Sequence, residues 1–573
     1  MFNVHDPLPL SVYSVATQVF TRAGAYFGVV ARPFRHAKMQ DVGRWGTADV
    51  FLITGRGGAP TAPGGNLCMQ FRPMHHGVRV PFAVQGGPTE LKLMTAYGDV
   101  RFCFAETGLL LIRGERGLGL SLEADFDMHR ILRKREGQSW ESTFAACCSF
   151  VYTPVAGTLE MRAPFDVDRL STPQVRGEVI PDENGDFLFA VEEFRELGFV
   201  RPSFPTYEEG LRSAAADWER HLAAQPAIAA GRERAAYQTW SLQTAPSGRA
   251  KHRRLQRDFG HAADSFQSCL CAAACSGDLP LAMDLLLGQL DEQSPEGQIP
   301  VFFDDLRGLT QTVVPPAQGW ALDELMRTHD LEKEVPAAQL SALYAGLSRW
   351  ADWFDAYRCG RDGLPCYESG EESGLETSPV FAVRPVAALP DLSAFLALLE
   401  EKLGDLARMT GRAKEAEPWY ARSRARIERM LAAFWNGKRF VGRDCAGAVI
   451  DTASLLFYRP LILGRRLPPE VLDAMAEDLS EGNGFLTPAG FLSQRMTSPD
   501  YSPLQPGAGR ILPMENALVI TGLRAAGRSA EAREAAKRWC SALLQPVSPV
   551  WPAERGFSGS VAASAFLLLA DLA

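Results

Sequence analysis

The chain has 573 residues, of which 46% are hydrophobic, so it can bury a large core and is long enough for two or more domains. Charged residues make up 22% and the formal net charge is −9, which leaves no basic excess to neutralise phosphates or an anionic membrane surface. We therefore expect neither nucleic acid nor a membrane as a partner.

Residues 1–205 show the pattern of β-strands. Leu118, Leu120 and Leu122 alternate with small or polar residues, which is the period-two signature of a half-buried strand. Further along, two strand-like runs flank Asn184 and Gly185, a pair that favours a hairpin turn because it supplies positive φ angles. We predict a β-rich, sandwich-like domain over residues 1–205.

From residue 206 to residue 573 the apolar residues recur at helical spacing, and Pro and Gly separate the segments. In the clearest helix we expect Asp391 to cap the start and Gly411 to end it. Its apolar residues lie on one face: Leu392, Phe395, Leu396, Leu399, Leu403 and Leu406. A second helix follows directly, and helices that come in pairs suggest a barrel or a solenoid.

The eleven cysteines are few for this length and odd in number, which favours a reducing cytoplasm over a disulfide scaffold. Cys269, Cys271 and Cys275 lie in an apolar helical run without a second Cys/His pair at zinc-site spacing, so we expect packed thiols and no metal or organic cofactor. The chain shows neither a secretion signal at its start nor an apolar stretch of roughly 18 residues, so we expect a soluble protein that is not exported. The oligomeric state is not indicated.

The most unusual segment spans residues 367–379, with the sequence YESGEESGLETSP. Four carboxylates interleaved with Gly and Ser repel one another and propagate a helix poorly, so the segment is predicted to be a loop. Such crowding raises the pKa of a carboxyl group, which is what a general acid needs. A solvated acidic loop without catalytic function is the alternative.

Five short motifs in the same order resemble the helical catalytic domain shared by trehalase, processing α-glucosidase I, and the mannosylglycerate and glucosylglycerate hydrolases. They are DSFQ at 264–267, EGQIP at 296–300, PPAQGW at 315–320, ESGLETSP at 372–379 and FSGS at 557–560. The resemblance implies an (α/α)6 barrel over residues 206–573 and an inverting glycoside hydrolase that uses two carboxyl groups.

The resemblance also implies the catalytic pair. Glu376 stands where the family has the Asp that acts as general acid, and it is one methylene longer. For the base, Glu554 lies in the corresponding inter-helical loop, although it would equally be a surface residue paired with Arg555. Glu515 is the second candidate for the base; a charge favoured by a helix start is the alternative reading.

Five further residues are expected to bind substrate. Asp264 matches a residue that binds sugar hydroxyls in the resembling enzymes, and a helix N-cap is its alternative role. Trp320 and Tyr367 would provide flat apolar surfaces for sugar rings, or belong to the core. Gln318 and Glu372 complete the set because they lie in the matching motifs.

The sequence therefore predicts a glycosidase that inverts an α-linked glucose-type disaccharide or small glucoside. A catalytically inactive carbohydrate-binding or regulatory protein on the same scaffold is the main alternative, since the acid is exchanged and two family aromatics are replaced by Ala262–Ala263 and Gly559. A lyase or phosphorylase on a similar barrel is a third class. It is disfavoured because the acidic loop repels anions and lacks a Tyr, His and Arg cluster.

Overall fold

The computed structural model describes residues 18–32, 49–57, 66–125, 129–144, 148–227, 230–360, 362–545 and 559–573. Two compact units make up the chain. The first contains Met1–Ala223, Ala236–Ser247 and Asp258–Ala262, and the second contains Ala224–Ala235, Gly248–Arg257 and Ala263–Ala573. The domain boundary predicted between residues 205 and 206 stays a prediction.

The first unit is built mainly from antiparallel strands. Their bounds are β1 Phe27–Arg32, β2 Asp49–Thr54, β3 Asn66–His75, β4 Val78–Arg79, β5 Phe82–Gly86, β6 Leu91–Thr95, β7 Gly98–Glu106, β8 Leu109–Gly114, β9 Leu118–Ala124, β10 Arg130–Lys134, β11 Trp140–Phe144, β12 Cys148–Ala156, β13 Thr158–Arg162, β14 Val175–Ile180 and β15 Phe187–Phe194. One sheet has the order β1-β2-β3-β9-β14-β13, with β4 on β3. The other has the order β10-β11-β12-β15-β8-β7-β6-β5.

The two sheets bury a shared apolar core. Phe71 on β3 and Phe102 on β7 belong to different sheets, and their ring centroids are 5.9 Å apart. Leu118, Leu120 and Leu122 all lie in this core. This arrangement confirms the predicted sandwich-like domain. The half-buried reading of β9 is wrong, however, because all seven of its residues are buried.

The hairpin predicted at Asn184 and Gly185 is also wrong. A turn does form there, and Gly185 adopts a φ of 82°. The strands on either side do not pair with each other, however: β14 pairs with β9 and β13, whereas β15 pairs with β8 and β12. The turn therefore carries the chain from one sheet to the other.

The remaining elements are helices and short strands. The helices are α1 Tyr207–Ala223, α2 Arg232–Ser241, α3 Ser265–Ala274, α4 Leu279–Leu287, α5 Gln318–Met326, α6 Leu331–Glu334, α7 Ala337–Tyr357, α8 Pro390–Met409, α9 Ala413–Phe434, α10 Pro469–Asp478, α11 Pro513–Ala525, α12 Ser529–Leu543 and α13 Gly559–Ala570. The strands are β16 Gln243–Thr244, β17 Arg254–Leu255, β18 Ala263–Asp264, β19 Phe302–Phe303, β20 Gly308–Leu309, β21 Cys366–Tyr367, β22 Ala387–Ala388, β23 Gly442–Asp444, β24 Val449–Ile450, β25 Leu486–Thr487 and β26 Gly490–Phe491. A 3-10 segment, Leu455–Arg466, is kinked at Gly464.

Six of these elements form a closed inner ring in the second unit. The order around the ring is α3, α5, α8, Leu455–Arg466, α11 and α13, each packs against the next, and α13 packs back against α3. Helices α4, α7, α9, α10 and α12 pack against the outside of these elements. The structure therefore confirms the predicted fold class, a sandwich-like domain followed by an α/α barrel.

Helices α8 and α9 illustrate the difference between the inner ring and the outer helices of the barrel. Most residues of α8 are buried on every side, whereas α9 buries a single stripe that includes Met430 and Phe434. Asp391 is not the predicted cap, because α8 begins at Pro390 and the Asp391 side chain turns into the barrel. Gly411 follows the end of the helix with a φ of 75°, as expected.

The cysteines on and directly after α3 are packed thiols, as predicted: Cys269, Cys271 and Cys275 are buried and form no disulfide. Burial raises the pKa of the Cys271 thiol to about 11. Within the described residues, no helix combines the length and the apolar character that crossing a bilayer requires.

Candidate active site

Several candidate residues lie at the starts of inner-ring elements. Asp264 precedes α3, Gln318 opens α5, and Glu515 is in the first turn of α11. The first turn of α3 lies near the second turn of α8, since the rings of Phe266 and Phe395 are 5.9 Å apart. Helix N-termini carry a partial positive charge, which favours carboxylates at this end of the barrel.

Asp264 caps helix α3. Its Oδ1 accepts a hydrogen bond of 2.9 Å from the backbone N–H of Gln267, so the N-cap role, the alternative reading of this residue, is observed, and sugar binding stays a prediction. The side chain is mostly withdrawn from solvent. Burial raises the pKa of Asp264 to about 6, and the bond from Gln267 only partly opposes this effect.

The acidic segment folds as the loop that the sequence predicts, and its shape is well defined. Gly370–Ser373 forms a single 3-10 turn, and Gly374 ends it in the left-handed conformation with a φ of 75°. The Ser373 hydroxyl donates to the carbonyl oxygen of Gly370 at 2.7 Å and accepts from the N–H of Leu375 at 3.1 Å. Pro379–Phe381 then forms a second 3-10 turn.

Glu372 is the carboxylate that the loop buries. Arg358 donates to both of its oxygens, at 2.8 and 3.2 Å, and the N–H of Glu368 donates at 2.6 Å. Burial raises the pKa of Glu372, and repulsion from Glu368 is a smaller cause. Charge crowding is therefore not the main reason for the raised pKa.

Glu376 lies four residues after Glu372 in the same loop. It is exposed, whereas Leu375 and Ser378 on either side of it are buried. The next residue, Thr377, accepts a hydrogen bond of 2.7 Å from the N–H of Gly507. Among the described residues, none forms a hydrogen bond or ion pair with the Glu376 carboxylate. The backbone on both sides of Glu376 is fixed while its carboxyl group remains accessible.

Beneath the loop lies a buried charge cluster that the sequence analysis missed. Arg459 donates to both oxygens of Glu515, at 2.9 and 2.5 Å, and to Asp391 at 2.9 Å. Tyr367 donates to the same Asp391 oxygen at 3.0 Å. Two predicted site residues, Tyr367 and Glu515, thus belong to one network. Its signal in the sequence was a lone arginine in the apolar run LLFYRPLIL.

Gln318 and Trp320 lie deeper, in α5. The Gln318 amide donates to Gln289 at 2.8 Å, and its buried oxygen has no hydrogen-bond partner among the described residues. The Trp320 indole donates to the hydroxyl of Thr521 on α11 at 3.1 Å. Since α5 and α11 are not neighbours in the ring, Trp320 spans the barrel interior, and it is only 2% exposed.

Glu554 lies outside the described residues, as do Arg555, Phe557 and Ser558. Of the FSGS motif, Gly559 and Ser560 open α13, and the N–H of Ser560 donates to the carbonyl oxygen of Arg257 at 3.0 Å.

Comparison with known protein families gives a match over much of the second unit. Residues 262–547 match the mannosylglycerate hydrolase MGH1-like glycoside hydrolase domain. No curated protein matches the chain.

Several solved structures are similar. A GH63 mannosylglycerate hydrolase from Thermus thermophilus in complex with glucose has 18% identity and a TM-score of 0.48, over 57% of this chain and 96% of that one. The same enzyme in complex with Tris and D-glycerate has 18% identity and a TM-score of 0.45, over 53% and 92%. A GH92 family glycosyl hydrolase has 11% identity and a TM-score of 0.55, over 99% of this chain and 86% of that one. At these identities the likeness concerns the fold.

The matched domain and the closed inner ring agree with the order of motifs along the chain. The helical part of the protein therefore belongs to the clan of α/α-barrel glycoside hydrolases that includes trehalase, processing α-glucosidase I and the mannosylglycerate hydrolases, and residues 262–547 are its MGH1-like glycoside hydrolase domain.

Proposed function

We propose that this protein is an inverting glycosidase that hydrolyses α-linked glucose-type disaccharides or small glucosides, with Glu376 as the general acid and Glu554 as the base. The observation that carries the proposal is the accessible carboxyl group of Glu376 on a loop that hydrogen bonds of the Ser373 and Thr377 hydroxyls hold on both sides. A general acid has to meet the glycosidic oxygen in a fixed geometry, and an accessible side chain on such a loop suits this requirement.

In the proposed reaction, the protonated Glu376 donates its proton to the leaving oxygen while the bond to the anomeric carbon breaks. The second carboxylate removes a proton from a water molecule that attacks the opposite face of the sugar. Such pairs stand roughly 6.5–9.5 Å apart, which leaves room for the water. The product sugar then has the anomeric configuration opposite to that of the substrate.

Glu515 remains the second candidate for the base. Arg459 donates to both of its oxygens, and Glu515 is only 2% exposed. A base has to contact the attacking water, and burial together with the arginine fork leaves Glu515 little access to it. For this reason Glu554 is our first candidate for the base.

For substrate binding we propose Asp264, whose side chain is only partly buried, as an acceptor for sugar hydroxyls. Gln318, Trp320, Tyr367 and Glu372 are at most 2% exposed, so we propose that they support the wall of the pocket from behind. The sugar-stacking surface would then come from other side chains.

The test is a pair of substitutions in one loop. Glu376→Gln should lower kcat by at least about 100-fold, the usual range for loss of a general acid. Glu371→Gln is the matched control, since Glu371 is also exposed and lies five residues earlier. Proton NMR of the first product from an α-glucoside should show the β-anomer. Equal loss in both variants, or full activity of Glu376→Gln, would remove Glu376 from the mechanism, and an α-anomer would exclude inversion.

A catalytically inactive sugar-binding protein is the second candidate, because Glu376 stands where the resembling enzymes have Asp and because Trp320 and Tyr367 are buried. This alternative predicts that no glycoside in a broad panel releases a reducing sugar. The same sugars would nevertheless raise the melting temperature of the protein, because a ligand that binds only the native state stabilises it.

A further inference from the structure

Arg459 is completely buried at the junction of three inner-ring elements. It lies in Leu455–Arg466, its partner Asp391 is in the first turn of α8, and its partner Glu515 is in the first turn of α11. The side chains of Arg459 and Asp391 are 0% exposed and that of Glu515 is 2% exposed. One guanidinium group thus joins the starts of two helices to a third element.

The same guanidinium holds the acidic loop. Its Nη1 donates to the carbonyl oxygen of Ser373 at 2.8 Å, in addition to Asp391. A β-carbon placed on Gly374 would lie 3.2 Å from the ring of Phe266 and 4.0 Å from Nη2 of Arg459. The turn at Ser373 and Gly374 therefore rests directly on Arg459 and Phe266, two to three residues before Glu376.

Only arginine can make this set of contacts. Its planar fork donates in parallel to both oxygens of Glu515 and still directs Nη1 at two further acceptors. A lysine would keep the charge but present a single nitrogen. Burial alone would lower the pKa of Arg459, but Glu515 and Asp391 raise it above its ordinary value, so the fork stays charged.

The geometry points to Arg459 as a positioning residue that fixes the loop carrying Glu376 against the starts of α8 and α11. This assignment rests on the proposed function for its catalytic consequence. Because Arg459 is buried, it acts through the backbone of Ser373 and not by touching the sugar. Loss of the fork should let the loop move, and a displacement of about 1 Å at a reacting group can cost about 100-fold in rate.

The test compares Arg459→Lys with Arg426→Lys in the full-length protein. Arg426, on α9, is a similarly buried arginine (2% exposed) that donates to Glu400 at 2.9 Å and to Asp355 at 2.8 Å, and among the described residues it forms no hydrogen bond with the acidic loop. Both substitutions break a buried fork, so both should lower the melting temperature. Only Arg459→Lys should lower kcat, by 10- to 100-fold, with KM changed less than threefold.

Amide hydrogen exchange provides a readout that does not depend on activity. The N–H groups of Gly374, Leu375 and Ser378 are hydrogen-bonded within the loop, at 3.1, 3.1 and 2.9 Å. They should exchange at least 10-fold faster in Arg459→Lys than in the wild type. In Arg426→Lys their exchange rates should be unchanged. If Arg459→Lys does not fold, Asp391→Asn, which removes one charge of the cluster and keeps an oxygen, replaces it.

The outcomes separate the two proposals. If the wild type hydrolyses no glycoside, the proposed function fails, and the exchange rates still decide whether Arg459 holds the loop. Exchange in Arg459→Lys that matches the wild type would overturn the assignment, and so would unchanged kcat in a variant of an active enzyme. An equal fall of kcat in Arg426→Lys would show that general destabilisation is the cause, and would also overturn it.

Discussion

Gly370 lies directly against the backbone of Glu376. A β-carbon placed on Gly370 would be 2.6 Å from the carbonyl oxygen of Glu376 and 3.1 Å from the ring of Phe381. Real β-carbons do not approach oxygen so closely, so only glycine allows the first and last parts of the acidic loop to meet here. The position of the proposed acid thus depends on a missing side chain six residues earlier.

Gly370→Ala should therefore displace Glu376 and lower kcat about 10-fold or more. Gly108→Ala is a suitable control, because the nearest atom to its new β-carbon is 3.6 Å away, an ordinary contact distance. Steady-state kinetics of both variants, with melting temperatures measured alongside, check the prediction. Unchanged kcat in a folded Gly370→Ala would show that the loop adjusts without moving the acid.

Substitution of Thr377 is a second way to loosen the acidic loop. Thr377→Val keeps the shape of the side chain but leaves the N–H of Gly507 without its acceptor, which should cost about 1–2 kcal/mol of unfolding free energy. We also expect kcat to fall, because the substituted residue follows Glu376 directly.

Thr487→Val controls for the loss of stability. In another turn of the same unit, the Thr487 hydroxyl accepts from the N–H of Ala489 at 3.1 Å and donates to the carbonyl oxygen of Gly490 at 2.8 Å. Denaturant unfolding should therefore show at least as much destabilisation for Thr487→Val as for Thr377→Val, whereas kinetics should show a reduced kcat only for Thr377→Val. Equal kcat in the two variants would argue against a role for the bond between Thr377 and Gly507.

The fold class could be predicted because it depends on local patterns. The helical period around Leu399 and the alternation around Leu120 are visible in any short window of sequence. The pairing of β14 and β15 could not be predicted in this way, because a turn at Gly185 is compatible with strands that go to the same sheet or to different sheets. Register and sheet membership are decided by contacts distant in sequence.

In the candidate site, too, local features could be predicted from the sequence and contacts between distant residues could not. The N-cap role of Asp264, the alternative reading of that residue, is local and could be foreseen, since its donor is the N–H three positions later. The cluster of Arg459 with Asp391 and Glu515 joins residues that are 68 and 56 positions apart. Periodicity cannot reveal such a partnership, and an interpretation of Asp391 as a helix cap was locally reasonable but wrong.

The raised pKa of Asp264 should make stability depend on pH. Its pKa is about 6 in the folded state and near 3.8 when unfolded, so the native state binds the proton more tightly between these values. The free energy of unfolding of the wild type should therefore fall as the pH rises from about 4 to 6. Asp264→Asn keeps a good N-cap but does not titrate.

This variant should be more stable than the wild type at pH 7, by roughly 1–2 kcal/mol, and equal to it below pH 4. Asp278→Asn, at the matching N-cap of α4, controls for the change of cap, since Asp278 accepts from Leu281 at 3.0 Å. Urea unfolding at pH 4 and pH 7 is the measurement. A wild type whose stability rises between pH 4 and 6 relative to Asp264→Asn would contradict the raised pKa.

Substitution of Trp320 tests whether its indole has a structural role or binds sugar. Because it spans the barrel interior from α5 to Thr521 on α11, Trp320→Phe should remove a hydrogen bond and buried area and lower the unfolding free energy by about 1–3 kcal/mol. KM for any accepted glycoside should change less than twofold.

Thr521→Val leaves the indole N–H unpaired, and a double-mutant cycle should give a coupling energy of about 1 kcal/mol between the two residues. If Trp320→Phe instead raised KM more than 10-fold without loss of stability, the indole would be in contact with the sugar, and the barrel would be open to substrate more deeply than its 2% exposure indicates.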